Sequence, residues 1–128
     1  MTHPELVLLP SQLCTARLWQ HQIEHLADRA EITVPELDGD TITGIATAVL
    51  AAAPARFALA AHGMGGFVAF EILRQAPARV TRLALLGTLA TADGPAQIER
   101  RESYSRLVAS GRFAAVIEER IPMLLHPD

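Results

Sequence analysis

Short continuous apolar runs are the first pattern along this sequence. Residues 6–9, 57–61 and 80–86 form such runs and predict strands buried on both faces, as in a parallel sheet. Residues 31–37 predict one more strand. Pro35 within it indicates a sheet edge or a strand end, because proline cannot donate a hydrogen bond to a neighbouring strand.

Helical stripes fill the intervals between these runs. Apolar residues recur three and four positions apart over 19–30 and 42–53, which predicts amphipathic helices, the first with Thr15 as its N-cap. A third apolar helix is expected before Pro77. Strands that alternate with helices of this length predict right-handed crossovers and a parallel sheet, which is the α/β class of fold.

The pattern changes after Thr88. Asp93-Gly94-Pro95 predicts the start of a helix with proline in its first turn, and Gly111 predicts its end. One more helix is expected from Phe113 to just before Pro122. The predicted organisation is therefore an α/β domain over 1–90 and a helical segment over 91–128.

Composition narrows the class of protein. The chain has 128 residues, half of them apolar, which favours a folded domain over disorder. A net charge of −3 favours neither nucleic acid nor an anionic membrane as a partner, and no apolar run reaches the ~18 residues of a membrane span. A single cysteine, Cys14, excludes an internal disulfide and fits a reducing compartment. We expect a cytoplasmic globular protein that needs no cofactor or metal.

The segment from Arg56 to Ala76 carries the strongest functional signal. It combines a predicted strand, the turn A-H-G-M-G-G and a predicted helix. This is the context of a nucleophile elbow, in which a serine sits on a sharp turn between glycines. Gly63 stands where that serine is expected, so the reactive oxygen is missing from the position.

With its flanks included, the sequence resembles the N-terminal half of the α/β-hydrolase superfamily, of the esterase or lactonase type. The elbow and the segment L-L-P-S-Q-L-C-T-A-R-L-W, which matches the oxyanion loop, carry this resemblance. It implies half of a hydrolase sheet in the order second, first, third, fourth strand, followed by cap-like helices. It also implies an oxyanion hole formed by the backbone N–H groups of Gln12 and Met64.

The sequence departs from the family pattern at several positions. Gly63 replaces the nucleophile, Ala61 replaces the first elbow glycine, and Ser11 replaces the usual glycine of the oxyanion turn. The catalytic acid and histidine of the family follow later strands, whereas this chain ends in the cap region. Because glycine adopts the elbow backbone without strain, we expect Gly63→Ser to lower the melting temperature.

The other residues with reactive or metal-binding side chains are more simply explained by structural roles. His62 is expected to be a packed structural histidine that points away from the pocket, and Cys14 a buried inert thiol. His21 and His25 are expected on a solvated helix face. Asp93 is expected at the start of a helix, and His126 in the C-terminal tail.

Three functions remain open at this point, and whether the chain is an active enzyme is left undecided. The first is a catalytically inactive, oligomeric hydrolase-like domain, whether Gly63 arose naturally or by design. The second is the N-terminal chain of an ester or lactone hydrolase that a second chain completes. The third is a module that binds a small ester or carboxylate without turning it over. The predicted partner is a second copy or a complementary chain at the exposed fourth strand. No substrate follows from the short apolar residues of the cap segment.

Overall fold

The computed structural model describes residues 2–128 and divides into two compact units, one up to Ala90 and one over Thr91–Asp128. Its strands and helices follow in this order: β1 (Glu5–Leu9), a 3-10 helix (Ala16–Trp19), α1 (Gln20–Leu26), β2 (Glu31–Thr33), α2 (Ile42–Ala52), β3 (Phe57–His62), α3 (Met64–Gln75), a second 3-10 helix (Pro77–Arg79), β4 (Val80–Leu86), α4 (Pro95–Ala109) and α5 (Phe113–Leu124).

The first unit is a parallel sheet in the order β2-β1-β3-β4. Both the α/β class and the strand order agree with the prediction. Leu9 of β1 pairs with Ala61 of β3, and His62 of β3 pairs with Leu86 of β4. The carboxyl ends of β1, β3 and β4 therefore lie side by side at the same end of the sheet.

The edge strand β2 is shorter than predicted. It covers Glu31–Thr33, whereas the sequence suggested a strand as far as residue 37. Pro35 has no N–H to donate, so the ladder with β1 stops before it. The expectation of a strand end or edge at this proline is confirmed, and the longer range was wrong.

The core of the first unit lies between the sheet and the helices α2 and α3. Thr41 caps α2, since its side chain accepts a hydrogen bond of 3.0 Å from the N–H of Gly44. Burial of apolar side chains removes their surface from water and is the main stabilising term. The cluster consists of Val7, Leu9, Ile45, Ala46, Val49, Leu50, Phe57, Leu59, Ala61, Val68, Ala69 and Ile72.

Arg79 joins the end of α2 to the start of β4. Its guanidinium donates hydrogen bonds to the carbonyl oxygens of Leu50 (2.8 Å), Ala53 (2.8 Å) and Pro54 (2.6 Å). The last carbonyls of a helix have no partner within the helix, so this side chain satisfies groups that would otherwise be unpaired. The same guanidinium lies 5.7 Å from the ring centroid of Phe57.

The second unit contains α4 and α5. As predicted, α4 begins with Pro95 and stops before Gly111. Its last residue is Ala109, and the φ of 76° at Gly111 permits the 2.8 Å hydrogen bond from Arg112 N to the Leu107 carbonyl. The predicted end of α5 was wrong, because the helix passes through Pro122 to Leu124. Proline removes only its own hydrogen bond there, and Leu125 N still donates to the Ile121 carbonyl. Within residues 2–128, no helix has the length and apolar character needed to cross a membrane.

Candidate functional site

Gly63 forms a sharp turn between β3 and α3. Its backbone has φ 55° and ψ −120°, and a positive φ of this kind is unfavourable for residues with a Cβ. The Gly63 N–H donates to the Leu86 carbonyl at 3.1 Å, and the Gly63 carbonyl accepts from the Thr88 hydroxyl at 2.7 Å. Both the N–H and the carbonyl of Gly63 are therefore bonded to the end of β4, and the structure has the elbow geometry that the sequence predicted.

The next two glycines allow close approach of neighbouring backbone and side chains. A Cβ on Gly65 would lie 2.6 Å from the carbonyl oxygen of Pro10, and a Cβ on Gly66 would lie 2.1 Å from the Thr88 hydroxyl oxygen. Both distances are far below van der Waals contact. The start of α3 can therefore sit against the ends of β1 and β4 only because these positions lack side chains.

Ser11 occupies the space beside Gly63. Because Leu9 pairs with Ala61 in parallel register, continuing by two residues places Ser11 opposite Gly63. A Cβ on Gly63 would lie 2.1 Å from the Ser11 Oγ and 3.0 Å from the Ser11 Cβ. The serine is 9% exposed, and its hydroxyl has no hydrogen-bond partner among residues 2–128. A hydroxyl is thus present at the elbow, but it belongs to the neighbouring strand end.

The two predicted oxyanion donors flank this pair in the chain. Met64 is the first residue of α3, so its N–H has no acceptor within the helix. Gln12 follows Ser11 in a turn that is closed by a 3.2 Å hydrogen bond from Cys14 N to the Ser11 carbonyl. Leu13 in this turn has a φ of 61°, which is unusual for a residue other than glycine. An oxyanion-hole role for Gln12 and Met64 stays a prediction.

His62 lies on the other side of the elbow from Ser11. Its Nε2 would be 3.3 Å from a Cβ on Gly87, which follows β4. Its Nδ1 is buried and has no hydrogen-bond partner among the described residues. This position fits the expected packing role and does not bring the imidazole to the Ser11 hydroxyl.

Cys14 and the pair of His21 and His25 are the other residues with reactive or metal-binding side chains. Cys14 is half-buried, so the expectation of a buried thiol was wrong. The rings of His21 and His25 have centroids 4.0 Å apart, and His25 Nδ1 lies 2.8 Å from the His21 carbonyl oxygen. No group of three or more His, Cys, Asp or Glu side chains that could hold a metal occurs in residues 2–128.

The remaining candidates have local partners. Asp93 forms an ion pair with Arg101 near the start of α4, and the hydrogen bond from Arg101 lowers the pKa of Asp93. His126 is exposed, with Nδ1 3.6 Å from a carboxylate oxygen of Asp128. A surface depression lies where β1 and β2 begin, at the opposite end of the strands from the elbow. It is lined by Thr2, His3, Glu5 and Glu31.

Sequence reasoning missed the contact between Ser11 and Gly63. Both residues depart from the hydrolase pattern, and nothing in the sequence connects the two departures. The signal that links them is the register, since each lies two residues beyond a paired position of β1 and β3. That register becomes known only when the strands are aligned in the sheet.

No family model matches this chain, and no curated protein matches it in sequence. Solved structures do match. An esterase from Thermogutta terrifontis with malate bound has a TM-score of 0.83 and 26% identity, over 94% of this chain and 50% of that chain. An extracellular α/β-hydrolase from a Paenibacillus species has a TM-score of 0.64 and 23% identity, over 85% of this chain and 53% of that chain.

A third match is the thioesterase domain from the curacin biosynthetic pathway, with a TM-score of 0.65 and 18% identity, over 94% of this chain and 54% of that chain. The chain therefore spans about half the length of these structures. Together with the parallel sheet and the elbow, these matches show that the chain has the α/β-hydrolase fold, over about half the length of the hydrolases it resembles.

Proposed function

We propose that this chain is an α/β-hydrolase-like protein that performs no covalent acyl transfer through its elbow. The observation that carries the proposal is the geometry of Gly63, which keeps the elbow backbone but has no side chain. Covalent acyl transfer needs a nucleophile, a base within hydrogen-bond reach and donors for the oxyanion. Loss of the serine nucleophile costs on the order of 10⁶ in rate where it has been measured.

The Ser11 hydroxyl does not restore this chemistry by itself. Serine is a weak nucleophile unless a neighbouring base takes its proton. Among residues 2–128 no histidine, carboxylate or other acceptor forms a hydrogen bond with the Ser11 Oγ. The oxygen is therefore present without activation, which supports an inactive elbow.

The test is a combined rate and labelling experiment. Hydrolysis of p-nitrophenyl acetate and p-nitrophenyl butyrate is measured for the purified chain and for Ser11→Ala, and a fluorophosphonate probe is applied before intact-mass measurement. We expect no adduct and no rate that depends on Ser11. A stoichiometric adduct, or turnover that Ser11→Ala abolishes, would contradict the proposal.

A second function is favoured by the exposure of β4. This strand has β3 on one side and no other strand among the described residues on the other. Leu83 (42% exposed), Leu85 (39%) and Leu86 (42%) leave apolar surface open on both faces. An apolar edge strand of this kind is a template for pairing with another chain.

We therefore also propose that the protein works as part of an assembly formed through β4. The partner is either a second copy of this chain or a chain that carries further strands with the acid and histidine of an ester or lactone hydrolase. The half-length matches favour the second partner. Light scattering coupled to size exclusion, with intact mass spectrometry, separates them. A homodimer would indicate pairing with a second copy of this chain. A second polypeptide in the same species would indicate the complementary chain, and a stable monomer would contradict assembly.

A further inference from the structure

We propose that His21 and His25 form a two-histidine site for a zinc-type divalent cation on the exposed face of α1. The inference concerns a surface that the proposed function does not use, and it does not depend on whether the elbow is active. His25 binds the cation through Nε2 and His21 through a nitrogen of the ring beside it. Water, or a group from another molecule, completes the coordination.

The spacing and contact of the two rings are the first observation. Four residues separate His21 from His25 within α1, which places both side chains on one face, one turn apart. Both are exposed, and their ring centroids lie 4.0 Å apart with the ring planes tilted by 31°. Because a Zn–N bond is about 2.0–2.1 Å long, two nitrogens on one zinc lie within about 4 Å of each other. The helix therefore brings the rings to the separation that chelation requires, and this spacing on one helix face is a known zinc-binding pattern.

The hydrogen bond of the His25 ring is the second observation. Its Nδ1 lies 2.8 Å from the backbone carbonyl oxygen of His21. A carbonyl only accepts, so Nδ1 carries the proton of the neutral ring and Nε2 keeps its lone pair. Histidines that bind metals almost always donate their other ring N–H to a carbonyl, a carboxylate or water, which fixes the orientation of the ring. His25 thus has the tautomer and the support of a metal ligand.

The charges of α1 favour a cation. This helix contains no arginine or lysine, and Glu24 is its only acidic residue. A Glu24 carboxylate oxygen accepts a 2.9 Å hydrogen bond from the Gln20 amide, so we assign Glu24 no role as a ligand. His25 is in the last turn of α1, where the negative end of the helix dipole also favours positive charge.

The donor set indicates the kind of cation and the kind of site. Imidazole nitrogens suit Zn²⁺, Cu²⁺ and Ni²⁺, whereas Mg²⁺ and Ca²⁺ prefer oxygen ligands. No group of three possible ligands occurs among residues 2–128, so the site differs from a closed structural zinc site with four protein ligands. Two positions of a four-coordinate ion stay open, and binding is expected to be reversible.

Zinc is the probe, and the imidazole ¹⁵N shifts identify the nitrogen that binds. Zn²⁺ is titrated into protein labelled with ¹⁵N-histidine, with Mg²⁺ as the comparison cation. His21→Ala and His25→Ala each remove one ring and introduce the residue with the highest helix propensity. Gln20→His combined with His21→Ala keeps the number of histidines but separates them by five residues, on different sides of the helix. His126→Ala changes an exposed histidine near the C-terminus.

We expect saturable shifts of His25 Nε2 and of one His21 ring nitrogen with Zn²⁺ and none with Mg²⁺. The ring that remains in His21→Ala, in His25→Ala and in the five-residue spacing variant should bind about a hundredfold more weakly, because the gain from a second linked contact is lost. His126→Ala should bind at α1 as the parent does. Well-dispersed amide spectra show that each variant is folded. Equal affinity in the spacing variant, coordination through His25 Nδ1, or no saturable shift at either ring would overturn the proposal.

Discussion

Ser11 and Gly63 lie opposite each other at the ends of β1 and β3, and the Ser11 Oγ fills the space where a Cβ of residue 63 would stand. The two positions are therefore coupled by packing. A side chain at 63 would force the Ser11 hydroxyl to move, and with Ser11 placed as it is the space beside residue 63 suits only glycine. Two separate departures from the hydrolase pattern thus form one structural unit.

Restoring the nucleophile should destabilise the protein. Gly63→Ser places a Cβ at φ 55°, which costs about 1–2 kcal/mol, and forces it against Ser11, which adds an overpacking cost of roughly 1–3 kcal/mol. Thermal and urea unfolding would show a lower midpoint. An unchanged or higher midpoint would contradict both the strained elbow and the contact with Ser11.

The double variant separates these two costs. Adding Ser11→Gly to Gly63→Ser removes the clash and should recover the overpacking part, so the two changes should be non-additive. Gly111→Ser is a matched control, because Gly111 has a φ of 76° with nothing within 4 Å of its would-be Cβ. It should show the backbone cost alone. Additive effects of Ser11→Gly and Gly63→Ser would show that the two sites are independent.

Arg79 should contribute more to the free energy of unfolding than its partly exposed position suggests. Arg79→Met leaves the carbonyls of Leu50, Ala53 and Pro54 without their donor, and each carbonyl that water cannot reach costs roughly 1–3 kcal/mol. Urea unfolding should therefore show a clear loss of stability. Arg79→Lys should recover little, since an ammonium lacks the planar fork that reaches several carbonyls at once.

Arg106→Met is the control for this prediction. Arg106 is 70% exposed and forms an ion pair with Glu102 (65% exposed) on the same helix, and exposed pairs contribute about 0–1 kcal/mol. The loss for Arg79→Met should be distinctly larger. Equal losses for the two variants would mean that the Arg79 hydrogen bonds add little to stability.

Glu71 should contribute to the acid sensitivity of the fold. Hydrogen bonds from Arg74 and then from Gln75 lower the pKa of Glu71 from 4.5 to about 2. A lowered pKa in the folded state means that the contribution is present above the unfolded value and is lost as the pH falls from 4.5 through about 2. Urea midpoints across this window should fall less for Glu71→Gln than for the parent. Glu118→Gln, on an exposed position of α5, should follow the parent, and identical curves for all three proteins would refute the prediction.

Charge on β4 should prevent assembly. Lysine on an edge strand disfavours pairing because pairing would desolvate its charge, so Leu85→Lys should shift an oligomer toward monomer in light scattering. Leu125→Lys, at a 65% exposed leucine after α5, introduces the same charge elsewhere. It should leave the mass unchanged. An oligomer that survives Leu85→Lys but not Leu125→Lys would place the interface outside β4.

Much of the fold follows from local sequence. Continuous apolar runs mark β1, β3 and β4 because strands buried on both faces need apolar residues at every position. Thr15, Thr41 and Gly111 mark helix ends because their preferences act within a few residues of chain. Errors occurred where two local signals competed, as at Pro35, which ended β2 early, and Pro122, which did not end α5.

The sequence by itself therefore determined the elements, the parallel α/β class and the position of the vacant elbow at Gly63. Only the tertiary structure decided what fills that vacancy. Ser11 and Gly63 are 52 residues apart in the chain, and they meet because the sheet order puts β1 beside β3 in a particular register. Register is set by the packing of both sheet faces together, and no short stretch of sequence contains that information.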